Sequence, residues 1–115
     1  MNEDPAVGTV LCAFGELPDP GARGFVVGDR QIIAVRWGEG VYGFVNSCPH
    51  VGVSLDIEPD QFFDFTGSYL LCSYHGAIFQ PNTGKCVRGP CRGQSLTPFP
   101  LKIENGRIVV ARAAG

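Results

Sequence analysis

The sequence predicts an all-β domain, a small antiparallel sandwich or partly open barrel with a further segment inserted into it. Three observations lead there. The apolar stretches are short and rich in Val and Ile, and turn residues interrupt them about every 8 to 12 positions, as in small sandwiches and barrels. The 115 residues include 16 Gly and 9 Pro with no repeating period, so turns must take up much of the chain. Between positions 47 and 93 the character changes, because four of the five cysteines and both histidines gather there. Hydrophobic residues make up 44% of the chain, enough to bury a core, and the length suits one domain.

Taken in order, strands are expected at 9–14, 24–27, 31–37, 41–46, 68–72, 77–80, 101–104 and 107–111. Two joints read as two-residue hairpin turns. Gly28-Asp29 lies between Val27 and Ile32, and Asn105-Gly106 between Ile103 and Ile108; in both, Gly or Asn takes a positive φ at little cost. Pro18-Asp19-Pro20-Gly21 is a loop. The single domain then divides into a β scaffold, 1–46 with 93–115, and an inserted segment, 47–92.

Charge narrows the function. A net charge of −2 with scattered Lys and Arg lacks the basic patch of a nucleic-acid binder. No run approaches the roughly 18 apolar residues that cross a bilayer, so no membrane partner is expected. The acidic start Met1-Asn2-Glu3-Asp4, and the break of the apolar stretch 6–14 at Gly8 and Thr9, are unlike a secretory signal, which leads to an expectation of a cytoplasmic protein. An odd number of cysteines then favours thiols or metal ligands over a disulfide framework.

Cys48-Pro49-His50 and Cys72-Ser73-Tyr74-His75 each bring a sulfur and an imidazole together, and Gly52 and Gly76 follow closely. Residues i and i+2 of an extended segment share a face, and residues i and i+3 of a turn approach each other, so both spacings can deliver Cys and His to one metal. Neither segment closes a site alone, whereas together they offer two sulfurs and two nitrogens. Zinc sites commonly pair like with like within one knuckle, but here each segment mixes the two. Mixing suits a binuclear iron–sulfur cluster whose irons take different ligands. With only two histidines in the chain, both falling two or three residues after a cysteine by accident is about a 1% event.

Cys48-Pro49-His50-Val51-Gly52 with Cys72-Ser73-Tyr74-His75-Gly76 resembles the Rieske motif, C-x-H-x-G followed by C-x-x-H-G. Asn82-Thr83-Gly84 before Cys86, then Gly89-Pro90, resembles the family's turn and the Gly-Pro loop that covers the cluster, and 96–110 resembles its closing hairpin. The resemblance implies a Rieske-type fold with 47–92 as the cluster-binding subdomain, and a [2Fe-2S] cluster held by Cys48 and Cys72 on the inner iron and His50 and His75 on the outer one, near the tip. It further implies a one-electron carrier with no catalytic residue. The donor would be a flavin or iron–sulfur reductase, and the acceptor a terminal oxygenase or other oxidoreductase. Two rivals stand beside it: a tightly bound Rieske subunit like the small subunit of nitrite reductases, and a zinc-stabilised interaction module. An oxygenase acting alone is excluded, because no 2-His-1-carboxylate iron site can be assembled once both histidines are used.

An oxidised cluster with two thiolates and two neutral imidazoles carries no net charge, whereas four thiolates leave it two units negative, so histidine ligation raises the potential. High-potential members carry a disulfide at what resemble Val53 and Tyr74, and hydroxyl donors at what resemble Ala77 and Phe79. Without these the expected potential lies near the low end of the range, about −150 mV.

The chain departs from the small ferredoxins of this family in the 21 residues between His50 and Cys72, with the excess assigned to 58–67. Phe62-Phe63-Asp64-Phe65 there reads either as a core flap or as an exposed partner contact. Cys86 and Cys91 admit three readings: free thiols, a hairpin disulfide, or alternative metal ligands. Cys12 and Trp37 are expected in the core. Arg88 and Arg92, flanking the Gly-Pro loop, are either solvated charge or a steering pair for an acidic partner.

Overall fold

Strand Arg30–Trp37 (β3) shows how the molecule is layered. Ile32, Ile33, Ala34 and Val35 are all buried in a row, and neighbouring side chains of a strand point to opposite faces. Ile33 and Val35 therefore join one core, and Ile32 and Ala34 supply two smaller ones on the other side. A run this continuously apolar is what a strand buried on both faces requires. The computed structural model describes residues 7–49, 54–56, 61–73 and 76–111.

Around β3 lies an antiparallel sheet of Gly21–Val27 (β2), β3 and Gly40–Val45 (β4), in unbroken register from Gly21↔Arg36 to Val27↔Arg30 and from Ile32↔Val45 to Trp37↔Gly40. A second sheet is built from Val10–Ala13 (β1), Leu101–Glu104 (β8) and Arg107–Val110 (β9), with β9 in the middle. The segment leading into β8 ties the two together: the N–H of Val45 donates to the Thr97 carbonyl and the N–H of Phe99 to the Gly43 carbonyl, both at 2.8 Å. The third sheet is small, Leu70–Leu71 (β5), Ile78–Phe79 (β6) and Cys86–Arg88 (β7), and lies wholly within the inserted segment.

The fold is all-β, as expected, with three antiparallel sheets and no closed barrel; among the described residues its helical content is one 3-10 turn, Phe14–Glu16. Both predicted hairpin turns are present, and Asn105 and Gly106 adopt φ of +53° and +74°. The strands agree with expectation to within a few residues, except that β7 was not anticipated: three residues between glycine turns are too few to show alternation. The 3-10 turn is held from β3, since the Arg36 guanidinium lies 4.2 Å above the Phe14 ring and donates to the Leu17 carbonyl at 3.0 Å. Cys12 is buried beside Leu17, Ala34 and Ile108, as its apolar setting predicts. No helix among the described residues is long and apolar enough to cross a membrane.

Candidate metal centre

The larger core, on the Ile33 and Val35 side of β3, holds four cysteines: Cys48, Cys72, Cys86 and Cys91. Cys48 lies just past β4, after Asn46 and Ser47, and Cys72 follows β5 directly; both are fully buried. The segment after Cys72 is a tight loop closed twice, by the Cys72 N–H donating to the Ala77 carbonyl and the Gly76 N–H donating to the Cys72 carbonyl, each at 2.9 Å. Tyr74 and His75 of that loop, and His50 and Val53 after Cys48, lie outside the described residues.

Asn46, which the sequence did not single out, stitches the first loop. Its Oδ1 accepts from the Leu55 N–H at 2.8 Å, and its Nδ2 donates to Asp56 Oδ1 at 3.0 Å, so one side chain joins the two ends of the Cys48 loop. The Asn46 N–H donates to the Gln31 carbonyl of β3, and the Ser54 hydroxyl donates to Gln31 Oε1. Leu55 then reaches the second loop, its carbonyl accepting from the Ser73 N–H at 2.9 Å. The available signal was an Asx residue at the end of an apolar strand just before a cysteine, where such side chains close local loops.

Above the Cys72 loop lies the Gly89-Pro90 segment. Gly89 has φ +102°, and a Cβ there would come within 2.8 Å of the Ala77 Cα, so close approach and backbone conformation both require glycine. Arg88 and Arg92 on either side are exposed. Beneath the segment the Cys91 thiol lies 3.0 Å from the Cys86 sulfur and donates to it, while the Cys86 thiol donates to the Arg88 carbonyl at 3.2 Å. Burial first, and then the adjoining Cys86 and Cys48 sulfurs, push the Cys91 thiol up to about 12.

The Phe62-Phe63-Asp64-Phe65 segment divides by residue between the core and the surface. Phe62 is buried in the larger core, and Phe63 packs against that core and stacks on Trp37 with ring centroids 6.4 Å apart. The chain then turns, with the Asp64 N–H donating to the Tyr69 carbonyl and the Leu71 N–H to the Phe62 carbonyl, so that 62–71 forms an arm on β5. Phe65, at its tip, is fully exposed.

The donor set fits an iron–sulfur cluster. Among the described residues no three His, Cys, Asp or Glu converge on one point, so Cys48, Cys72, Cys86 and Cys91 do not form an all-cysteine site. Two buried cysteines, Cys48 and Cys72, stand on loops joined through Leu55 and can each offer a sulfur to a cluster. The surroundings are apolar: among the described residues no polar or charged side chain is buried, and Ala77 and Phe79, at the positions that resemble the hydroxyl donors of high-potential members, are both at 0% exposure.

Comparison with known proteins agrees. The ferredoxin component of the alkene monooxygenase system of Xanthobacter autotrophicus is 29% identical over 100 residues, 87% of this chain and 77% of that protein. The ferredoxin of carbazole 1,9a-dioxygenase from Nocardioides aromaticivorans superposes with a TM-score of 0.75 at 22% identity, covering 93% of this chain and 99% of that one. A chain in a complex of reduced oxygenase and oxidised ferredoxin of carbazole 1,9a-dioxygenase gives a TM-score of 0.70 at 25% identity, covering 89% and 99%. The Rieske [2Fe-2S] domain profile matches residues 8–108, nearly the whole chain, and the protein therefore belongs to the Rieske [2Fe-2S] family, with a cluster of that type as its cofactor.

Proposed function

We propose that this chain is a one-electron carrier of a multicomponent oxygenase system, receiving electrons from a flavin or iron–sulfur reductase and delivering them to a terminal oxygenase. The observation that carries this reading is the match of almost the entire chain to a Rieske domain, together with ferredoxin components among its relatives. When bound, the cluster supplies a site that gains and loses one electron.

The chain's own residues fix where that site sits. Cys48 and Cys72 would hold one iron, and His50 and His75 would hold the other. Asn46, Leu55 and Ser73 keep the two ligand loops in register with each other and with β3. Ala77, Phe79, Leu55 and Leu96 keep water out. Apolar Ala77 and Phe79, with no buried polar side chain among the described residues, support a potential near the low end of the family, about −150 mV. The division into a scaffold, 1–46 with 93–115, and a cluster-binding part, 47–92, is supported by the third sheet lying within the latter. Cysteine usage supports a cytoplasmic setting.

The direct test is reconstitution. The reduced protein should show the electron paramagnetic resonance signal of a cluster with mixed sulfur and nitrogen ligands, and should restore electron flow between a reductase and an oxygenase of this class. A protein that elutes from its native host only with an oxidoreductase, or whose midpoint exceeds about +100 mV, would contradict the free low-potential carrier.

A further inference from the structure

The Cys86 and Cys91 pair has no part in holding the cluster, and its geometry is unusual for two spectators. The sulfurs are 3.0 Å apart, closer than thiols packed merely side by side, and both residues are 1 to 2% exposed. They bracket the covering segment: Cys86 opens β7, and Cys91 follows Gly89-Pro90 directly. The backbone already folds back between them, with the Cys86 N–H donating to the Gln94 carbonyl, the Arg92 N–H to the Gly89 carbonyl and the Gln94 N–H to the Cys91 carbonyl. Little movement separates this contact from a bond of about 2.05 Å.

We propose that Cys86 and Cys91 are a modification site, a dithiol that oxidises reversibly to an intramolecular disulfide and thereby locks the covering segment over the ligand loops. The oxidant is a low-molecular-weight disulfide such as oxidised glutathione. One protein sulfur attacks it and releases one small thiol. The second protein sulfur displaces the other small thiol and closes the Cys86–Cys91 bond. Two electrons pass from the protein sulfurs to the small disulfide, and the two thiol protons leave on the released thiols. Because both sulfurs lie under the covering segment, the first attack waits for that segment to lift, so the reaction is slow in the native protein and reports its opening.

The consequence follows from Gly89. This residue lies against Ala77, in the loop that begins at Cys72, so a segment that lifts uncovers that loop. A bond across the segment's base suppresses lifting. The oxidised protein therefore keeps its cluster longer under the conditions in which clusters are attacked. The sulfur chemistry stands independently of the electron-carrier role, whereas this consequence rests on the cluster assignment.

The experiment exposes the cluster-loaded protein to oxidised glutathione, quenches it in acid, and alkylates it with iodoacetamide after denaturation for peptide mass spectrometry. The expected result is loss of both alkylation sites at Cys86 and Cys91, recovery of a peptide joined through them, and restoration of both sites by dithiothreitol. In parallel, release of iron to a chelator should slow severalfold on oxidation in the parent protein and not in Cys86→Ser/Cys91→Ser. Both cysteines remaining alkylatable, or a stable glutathione adduct on one of them without the cross-link, would overturn the proposal. So would a cross-link that leaves iron release unchanged, which rejects the lock without touching the carrier reading.

Discussion

The β2-β3-β4 sheet and the β5-β6-β7 sheet are built from the same kinds of residue and held together in different ways. The first has strands of six to eight residues in continuous register, so each strand is fixed by its neighbours and by a face of buried side chains. The second has strands of two or three residues with a register shift between Ile78 and Phe79. Ladders that short do not hold themselves. Its order comes from point attachments: Asn46 to Leu55, Leu55 to Ser73, Gly89 against Ala77, and Phe63 on Trp37. Regular strands thus make the support, and individually placed groups make the site.

The sharpest way to break that contrast is to remove a ligand. Cys48→Ser or Cys72→Ser should abolish cluster binding, seen as loss of visible absorbance and of iron and sulfide. The far-ultraviolet circular dichroism of the longer sheets should survive. Collapse of both signals together would mean that the two regions are one cooperative unit. His50→Cys and His75→Cys should lose the cluster or lower its potential, read by protein-film titration, and an unchanged potential would contradict nitrogen ligation.

A pair of truncations on adjacent residues separates the two faces of β3. Ile33→Ala and Ile32→Ala should each cost about 2 to 5 kcal/mol by denaturant unfolding. Only Ile33→Ala, on the side of Cys48 and Cys72, should also speed iron release to a chelator; equal acceleration by both would refute the assignment of faces.

Single attachments should weigh less. Gly89→Ala forces a side chain into positive φ and onto Ala77, at a cost on the order of 1 to 3 kcal/mol, and Asn46→Ala leaves the Leu55 N–H without its acceptor at a similar cost. Both should be read as faster iron release with little change in the scaffold's hydrogen exchange.

The smallest effect belongs to the exposed arm. Burial, the largest single influence, raises the Asp64 carboxyl, but donors from the Thr66 hydroxyl and from the Tyr69, Ser68 and Thr66 backbone together outweigh it and hold the group below its ordinary 3.8. A depressed carboxyl stabilises its fold above that ordinary value and loses the contribution as pH falls through the lower one. Protection of the Ser68 and Tyr69 amides, with the intrinsic pH dependence of exchange divided out, should therefore fall below about pH 4 while that of β3 is unaffected, and Asp64→Asn should remove that dependence.

The scaffold was legible in the sequence because alternation and two-residue turns are local signals: Val26-Val27-Gly28-Asp29 and Ile103-Glu104-Asn105-Gly106 state their own geometry. The candidate ligand cysteines, Cys48 and Cys72, stand out in the sequence through their spacing to His50 and His75. What stayed hidden depends on partners distant in the chain. Nothing near Asn46 reveals that Leu55, nine residues on, will take its side chain. Nothing near Phe63 reveals Trp37, so the sequence could not say which phenylalanine of the arm is buried and which projects. β7 is too short for any pattern, and its existence follows from Phe79 pairing with Cys86.

That β3 is covered on both sides limits how such a protein can change over generations. Inserting or deleting one residue within any strand exchanges its two faces. Here a shift by one position would present Ile32 and Ala34 to the metal-binding side and Ile33 and Val35 to the other, misfitting two cores at once. Length variation in this lineage should therefore accumulate in places such as the arm carrying Phe65, and engineers transplanting the iron-binding loops to another host would need to carry this strand with them.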